Sequence, residues 1–426
     1  MHKYILSGFN IFMIPPITRG INRIVYYFIE QASCFAALLL VSILAASCES
    51  ASRSKDTTKS KDSLSINLPA AGTVPAAEAA RIRAACDQWY DTTLKPGNFN
   101  GGILVAEHGD IIYERYCGSG HIGGTDTINA NTPTHIASVS KTFTAMAVLK
   151  LVQDGKVKLD DELNKYFPSF NYPGVTIRNM LNHRSGLPNY LYFMDELGWD
   201  RKAYMTNQDV YDYLVNRKAE LKNISPPDRH FTYCNTNYAL LALLIEKISG
   251  ITYPQFIKQN FFDPLHMQNS FVFTAADSAR VNPSYDWRGG IIQLNSLDRV
   301  YGDKNIYTTP RDLLKWDRVL STNIIFKPEI LAQAYAPYSN EKPGIRNYGL
   351  GWRMNIYPDG KKMIYHNGWW HGNNASFIRL LDEDVTIIVM GNRFCRGTYK
   401  AKNLVNIFNP ALQENGEEET ENATPK

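Results

Sequence analysis

The stretch "HIASVSKTFTAMAVLKLVQDG", residues 135–155, decides how the rest of the chain is read. Phe143, Met146, Ala147, Leu149, Leu151 and Val152 recur at helical spacing and give an amphipathic helix a broad apolar face. Gly155 marks its stop. Ser138 and Lys141 stand three apart at its start, on one helical face. A serine hydroxyl is a weak nucleophile until a base takes its proton. A desolvated lysine can be that base once its pKa falls toward neutrality. The helix N-terminus adds partial positive charge and a backbone N–H that can hold an oxyanion. The pair alone has low specificity, since Ser52–Lys55 and Ser339–Lys342 repeat its spacing and an ordinary polar helix start looks the same.

Two later segments supply partners. "FTYCNTNYALLALLIEKISG", residues 231–250, holds Tyr233 and Asn235 at the head of an apolar helix. A phenol ordinarily loses its proton near pH ~10, but it ionises more easily beside an ammonium and can then relay protons. The Asn235 amide can orient a substrate carbonyl or the lysine. "YHNGWWHG", residues 365–372, holds His366, Asn367 and Gly368 at the end of an expected strand. Gly368 permits a close backbone approach, and the N–H of Trp369 is a candidate second oxyanion donor. Each pattern has bland matches elsewhere: Tyr338–Asn340, Tyr365–Asn367 and His121–Gly123. The weight lies in their combination.

Outward from these segments, "PAAEAARIRAACDQWYDTTL" (75–94) has helical periodicity, and "GGILVAEHGDIIYERY" (101–116) reads as two strands around a His-Gly-Asp turn. Residues from about 157 to 345 are mostly helical, with "YALLALLIEKISG" and "TPRDLLKWDRVL" clearest; Pro310 suits a helix start. Strands return late: "YGLGWRMN" and "KKMIYHNG" flank Pro-Asp-Gly, while "ASFIRLL" and "VTIIVMGN" flank Asp-Glu-Asp. A last helix is expected over about 398–408. The fold class is therefore α+β: an antiparallel sheet of two early and four late strands, flanked by the terminal helices, with a mostly helical lobe inserted over about 145–345. A cleft between two such lobes suits a site.

The ends are of another character. Arg19 and Arg23 precede the apolar run "CFAALLLVSILAAS", residues 34–47, which falls short of the roughly 20 residues a membrane span needs. Basic residues, an apolar run and small residues at its end make residues 1–48 a secretory signal, with Met13 as an alternative start. "LAASC" resembles the processing site of bacterial lipoproteins, in which Cys48 would carry the lipid, although Ala45 stands where leucine is preferred and Leu44 lies one position earlier. The polar segment 49–74 reads as a flexible tether, 75–410 as the folded domain, and 411–426 as a disordered acidic tail. An exported protein, held at a membrane through Cys48 or free in a periplasm, is expected.

Composition narrows the partners. A net charge of +4 in 426 residues gives no nucleic-acid signature. No Cys/His grouping has zinc spacing, so neither metal nor cofactor is expected. Cys86, Cys117, Cys234 and Cys395 allow three disulfide connectivities, and spacing does not choose among them. The expected partner is a small-molecule or peptide substrate.

Together the motifs resemble the serine β-lactamase-related family, which includes class C β-lactamases, D-alanyl-D-alanine carboxypeptidases and related esterases. "IASVSKTFTAMAVLKLVQDGKVKLDDEL" resembles its nucleophile helix, "TIRNMLNHRSGLPNY" its Leu-x-His-x-Ser-Gly-Leu segment, and "FTYCNTNYALLALLIEKISG" its Tyr-x-Asn helix. "FFDPLHM", "YGLGW" and "HNGWWHG" match further landmarks, and the likeness runs from about 80 to 395. The resemblance implies a β-lactamase/transpeptidase-like fold and an acyl-enzyme. Ser138 would be the nucleophile; Lys141 and Tyr233 would share the proton transfers. Asn235 would bind the substrate amide, and Ser138 and Trp369 would supply the oxyanion N–H groups. Three departures stand out. Cys234 occupies a serine or alanine position and reads as a small packed residue. His366 and Asn367 replace lysine and threonine, a weaker carboxylate anchor that disfavours efficient β-lactam hydrolysis and suits peptidases and esterases. "GDKNIYTT", residues 302–309, replaces a Gly-Gly pair at the cleft edge. D-Ala-directed peptidase comes first in order, then esterase, then β-lactamase, with a non-catalytic peptide-binding module as the rival of another class.

Overall fold

The computed structural model describes residues 65–412. The expected leader, Cys48, residues 49–64 of the tether and residues 413–426 lie outside them. Of the expected tether, residues 65–74 run extended along the surface: Ile66 N donates to Pro264 O at 2.9 Å, Gly72 N to His108 O at 2.8 Å, and Val74 is buried.

Helix α1 (Ala76–Trp89) precedes the hairpin β1 (Gly101–Glu107) and β2 (Asp110–Cys117). The short β3 (Thr134–His135) leads into α2 (Ser140–Gln153). The middle of the chain forms α3 (Ile177–Leu181), α4 (Tyr190–Glu196), α5 (Asn207–Asn216), α6 (Asn235–Ser249) and α7 (Tyr253–Ile257). It also forms four short strands: β4 (Phe271–Val272), β5 (Ser284–Tyr285), β6 (Ile291–Ile292) and β7 (Ile306–Thr308). Then come α8 (Pro310–Leu320), α9 (Pro328–Ala334) and the late strands β8 (Arg346–Tyr348), β9 (Arg353–Ile356), β10 (Lys362–Trp370), β11 (Asn373–Leu380) and β12 (Val385–Gly391).

The main sheet is antiparallel, in the order β2-β1-β12-β11-β10-β9-β8. The expected union of early and late strands is made by β1 against β12, from Gly101 opposite Gly391 to Glu107 opposite Val385. Both faces of the sheet are covered, and alternation sorts its side chains into two cores. Leu104, Ala106, Ile388 and Met390 face the helical lobe. Ile103, Val105, Ile387 and Val389 face α1 and the C-terminal segment. That segment, expected as a helix over about 398–408, is a 3-10 helix over Arg396–Ile407.

Three details differ from the sequence reading. Helix α2 is buried all round from Ser140 to Leu149, because α6 and α9 pack against it and its apolar residues join the core that the sheet shares with the helical lobe. Phe143 stacks on Trp316 of α8 at 4.3 Å. The late strands number five, since Gly349–Trp352 turns the chain between β8 and β9. Gly351, at φ +84°, would bring a β-carbon 2.2 Å from the Ala145 methyl. Two small sheets, β3-β7-β4 and β5-β6, sit within the expected helical lobe; strands of two or three residues are too short to show alternation. Cys86, Cys117, Cys234 and Cys395 are free thiols, so none of the three connectivities is formed.

Candidate active site

Ser138 does not open the helix; it sits on the 3-10 turn Ala137–Val139 just before α2. The chain leaves β3 with Ile136 N bonded to Ile306 O at 3.0 Å, and Ala137 N bonded to the His135 ring at 3.1 Å. Ala137 then takes φ +47°, a left-handed conformation strained for a residue with a β-carbon. This elbow presents Ser138 at the head of α2. Burial holds the pKa of His135 down at about 4, so its ring accepts as a neutral imidazole.

Lys141 is fully buried. Its Nζ donates to Ser138 Oγ at 3.0 Å and to the main-chain carbonyl of Asp303 at 2.8 Å. The Tyr233 ring centroid lies 5.0 Å from Nζ and that of Tyr238 5.6 Å. A hydroxyl within hydrogen-bond reach of a buried amine is the geometry a nucleophile and its base require.

Tyr233 is placed by the residue after it. Cys234 caps α6 from an extended backbone. Its N–H donates to His183 Nδ1 at 3.1 Å, and its thiol to Leu187 O at 3.3 Å. Burial pushes the thiol pKa up, so Cys234 fits the expected small packed residue. The His183 ring packs on Tyr233 at 4.4 Å. Asn235, buried, opens α6.

From the other side comes β10. His366 is fully buried. Nδ1 lies 2.6 Å from Asn367 O, a pure acceptor, so Nδ1 carries the proton and Nε2, 3.2 Å from the Tyr348 hydroxyl, accepts. Burial, then the Arg353 and Lys141 charges, hold its pKa well below the usual imidazole value. His366 is thus neutral at pH 7. Gly368 packs directly on the serine turn: an added β-carbon would lie 2.3 Å from Ile136 O and 3.0 Å from Ser138 N. Beyond Tyr365 the strand leaves β9 behind, so the stretch from His366 to Trp370 pairs with β11 alone. Trp369 is the next residue along that edge.

The structure therefore brings Ser138, Lys141, Tyr233, His366 and Gly368 from three separated segments to one place, with Asn235 and Trp369 next to them along the chain. Four residues at the site were not singled out in the sequence. His183 lies within the quoted Leu-x-His segment. Tyr348 and Arg353 belong to β8 and β9, and only the register, Arg353 opposite Tyr365, brings them beside His366. The Arg353 guanidinium stands 5.2 Å from the Tyr233 ring centroid. Asp303 contributes a backbone atom, which leaves no residue-type signal.

Known proteins resemble the chain in overall sequence and fold. The chain is 31% identical over 323 residues to penicillin-binding protein 4* of Bacillus subtilis, covering 71% of this chain and 70% of that one. It is 27% identical to the flp protein of Staphylococcus aureus, of whose length it covers 62%. A penicillin-binding protein from Bacillus halodurans superposes with a TM-score of 0.65 at 22% identity, over 74% of this chain and 98% of that one, which shows a common fold. The beta-lactamase family model matches residues 87–410, from inside α1 to the last described helical turn. On that span the chain belongs to the beta-lactamase family.

Proposed function

We propose that the protein is a serine hydrolase that cleaves an amide or ester carbonyl through an acyl-enzyme on Ser138. The observation that carries this reading is the 3.0 Å contact between Ser138 Oγ and a fully buried Lys141 Nζ. In the neutral amine the Asp303 carbonyl takes one N–H, which leaves the lone pair for the serine proton. Ser138 Oγ attacks the carbonyl carbon as Lys141 accepts its proton. The oxyanion is held by the N–H groups of Ser138 and Trp369. Collapse expels the amine or alkoxide, which takes its proton from Lys141 by way of Tyr233. Water then attacks the ester by the reverse route and releases acid and free serine. Asn235 orients the substrate amide, and the open edge after Tyr365 receives its backbone.

Among substrates, peptides ending in a free carboxylate come first, as a D-Ala-directed peptidase requires. A neutral His366 does not anchor a carboxylate, but Arg353 beside it provides a fixed cation. Esters come second and β-lactams third. The leader and Cys48 support an exported, membrane-tethered protein.

The test combines a fluorophosphonate probe with a panel of D-Ala-D-Ala peptides, p-nitrophenyl esters and nitrocefin. Ser138→Ala is expected to abolish labelling. A wild-type protein that takes no label is a binding module, and rapid nitrocefin turnover overturns the substrate order.

A further inference from the structure

The segment 302–309 forms a buried charged unit behind Lys141. Asp303 and Lys304 are 2% and 3% exposed. Asp303 Oδ2 accepts from the Tyr190 hydroxyl at 2.9 Å and stands 3.5 Å from Lys304 Nζ. Lys304 Nζ donates to the same hydroxyl at 2.5 Å and to Val300 O at 3.2 Å, and lies 4.7 Å from the Trp370 ring centroid. Tyr190 N is bonded to Thr236 Oγ1 at 2.7 Å, and Thr144 Oγ1 of α2 to Gly302 O at 2.6 Å. The unit thus touches α2, the first turn of α6 and the end of β10, the three elements that carry the candidate site.

A buried ion pair is a poor way to gain stability, because desolvating both charges offsets their attraction. A packing role alone would be served as well by apolar residues. Here the same residue that carries the anion also presents the carbonyl that holds Lys141 Nζ. Ser138, Tyr233 and Tyr238 also lie around the amine, whose charge reaches Cys234, His183 and His366, and the Arg353 cation acts on the same two histidines. Asp303 brings a carboxylate to this set.

We infer that Tyr190, Asp303 and Lys304 are positioning residues that hold the Asp303 carbonyl on Lys141 and set the protonation of its amine. The Asp303 anion favours the charged amine and the Lys304 cation opposes it, so removing either tilts the balance in a known direction. This deepens the role given to Lys141 in the hydrolase reading and rests on it for its consequence in catalysis.

The test follows Lys141 directly, by the 13Cε resonance of lysine-labelled protein assigned with Lys141→Arg. Lys304→Met is expected to raise its pKa, and Asp303→Asn to lower it, because loss of a nearby cation favours the charged amine and loss of a nearby anion disfavours it. Lys304→Arg keeps the wild-type value. Tyr190→Phe slows fluorophosphonate labelling of Ser138 about tenfold through the loosened carbonyl. Unmoved titrations in both folded variants, or shifts of the same sign, overturn the inference; if Lys304→Met fails to fold, Asp303→Asn alone decides by its downward shift. A wild-type protein that takes no label, while the titrations move as stated, refutes the hydrolase reading and leaves this one standing.

Discussion

Gly368 of β10 and Ile136 at the serine turn meet so closely that a β-carbon on the glycine would sit 2.3 Å from the Ile136 carbonyl oxygen. That contact fixes the distance between the strand edge and Ser138. Gly368→Ala is expected to push the two apart and remove one oxyanion donor, with labelling of Ser138 falling on the order of 100-fold. The fold loses about 1–3 kcal/mol, the range for an overpacked site. Labelling rates beside a denaturation curve check both; a fully active alanine variant would refute the packing argument.

Three buried histidines give a pH signature. Burial holds His135 at about 4, and His183 and His366 well below the usual imidazole range. Their folded pKa values lie under the unfolded one, so the unfolded chain binds more protons as pH falls below about 6.5. Stability is therefore full above that pH and falls on acidification, with about 1.4 kcal/mol lost per histidine per pH unit until each folded pKa is reached. Urea midpoints measured from pH 7 to pH 5 should fall steadily; a flat profile would show that these rings are not neutral.

Arg353 is expected to read the carboxylate end of a peptide. Arg353→Gln should raise KM for D-Ala-D-Ala peptides by roughly 10- to 100-fold, as loss of one charged hydrogen-bond partner does. Turnover of a neutral p-nitrophenyl ester should change little. Equal losses on both substrates would assign Arg353 to the packing of Tyr233 instead.

The anchor is tested at Cys48. Cys48→Ser should abolish metabolic labelling with palmitate and move the protein from the membrane pellet to the soluble fraction. Unchanged fractionation would give the role to an uncleaved apolar leader.

Much of this was legible because the site is built from three local patterns, each with its residues close in sequence. Ser138 and Lys141 share a face whether the serine is the first helical residue or, as found, lies on the turn before it. The hairpins around Pro-Asp-Gly and Asp-Glu-Asp carry their register in their turns. What stayed hidden depends on long-range register or on backbone. Arg353 reaches His366 only because β9 pairs with β10 at Tyr365. The Asp303 contact that holds Lys141 Nζ is made by a main-chain carbonyl, which any residue would supply. The left-handed Ala137 carries no glycine to announce it.

The pairing of Gly101 with Gly391 sets an order of assembly. Among the described residues, the β1–β2 hairpin is one of the first parts to leave the ribosome, yet the strand it needs, β12, is among the last. Until residues 385–391 emerge, β1 offers an open apolar edge with which another nascent chain can pair. Such a chain can complete its sheet only once its synthesis is nearly finished. Shortening it before Val385 would leave the late strands without the hairpin and the hairpin without a sheet.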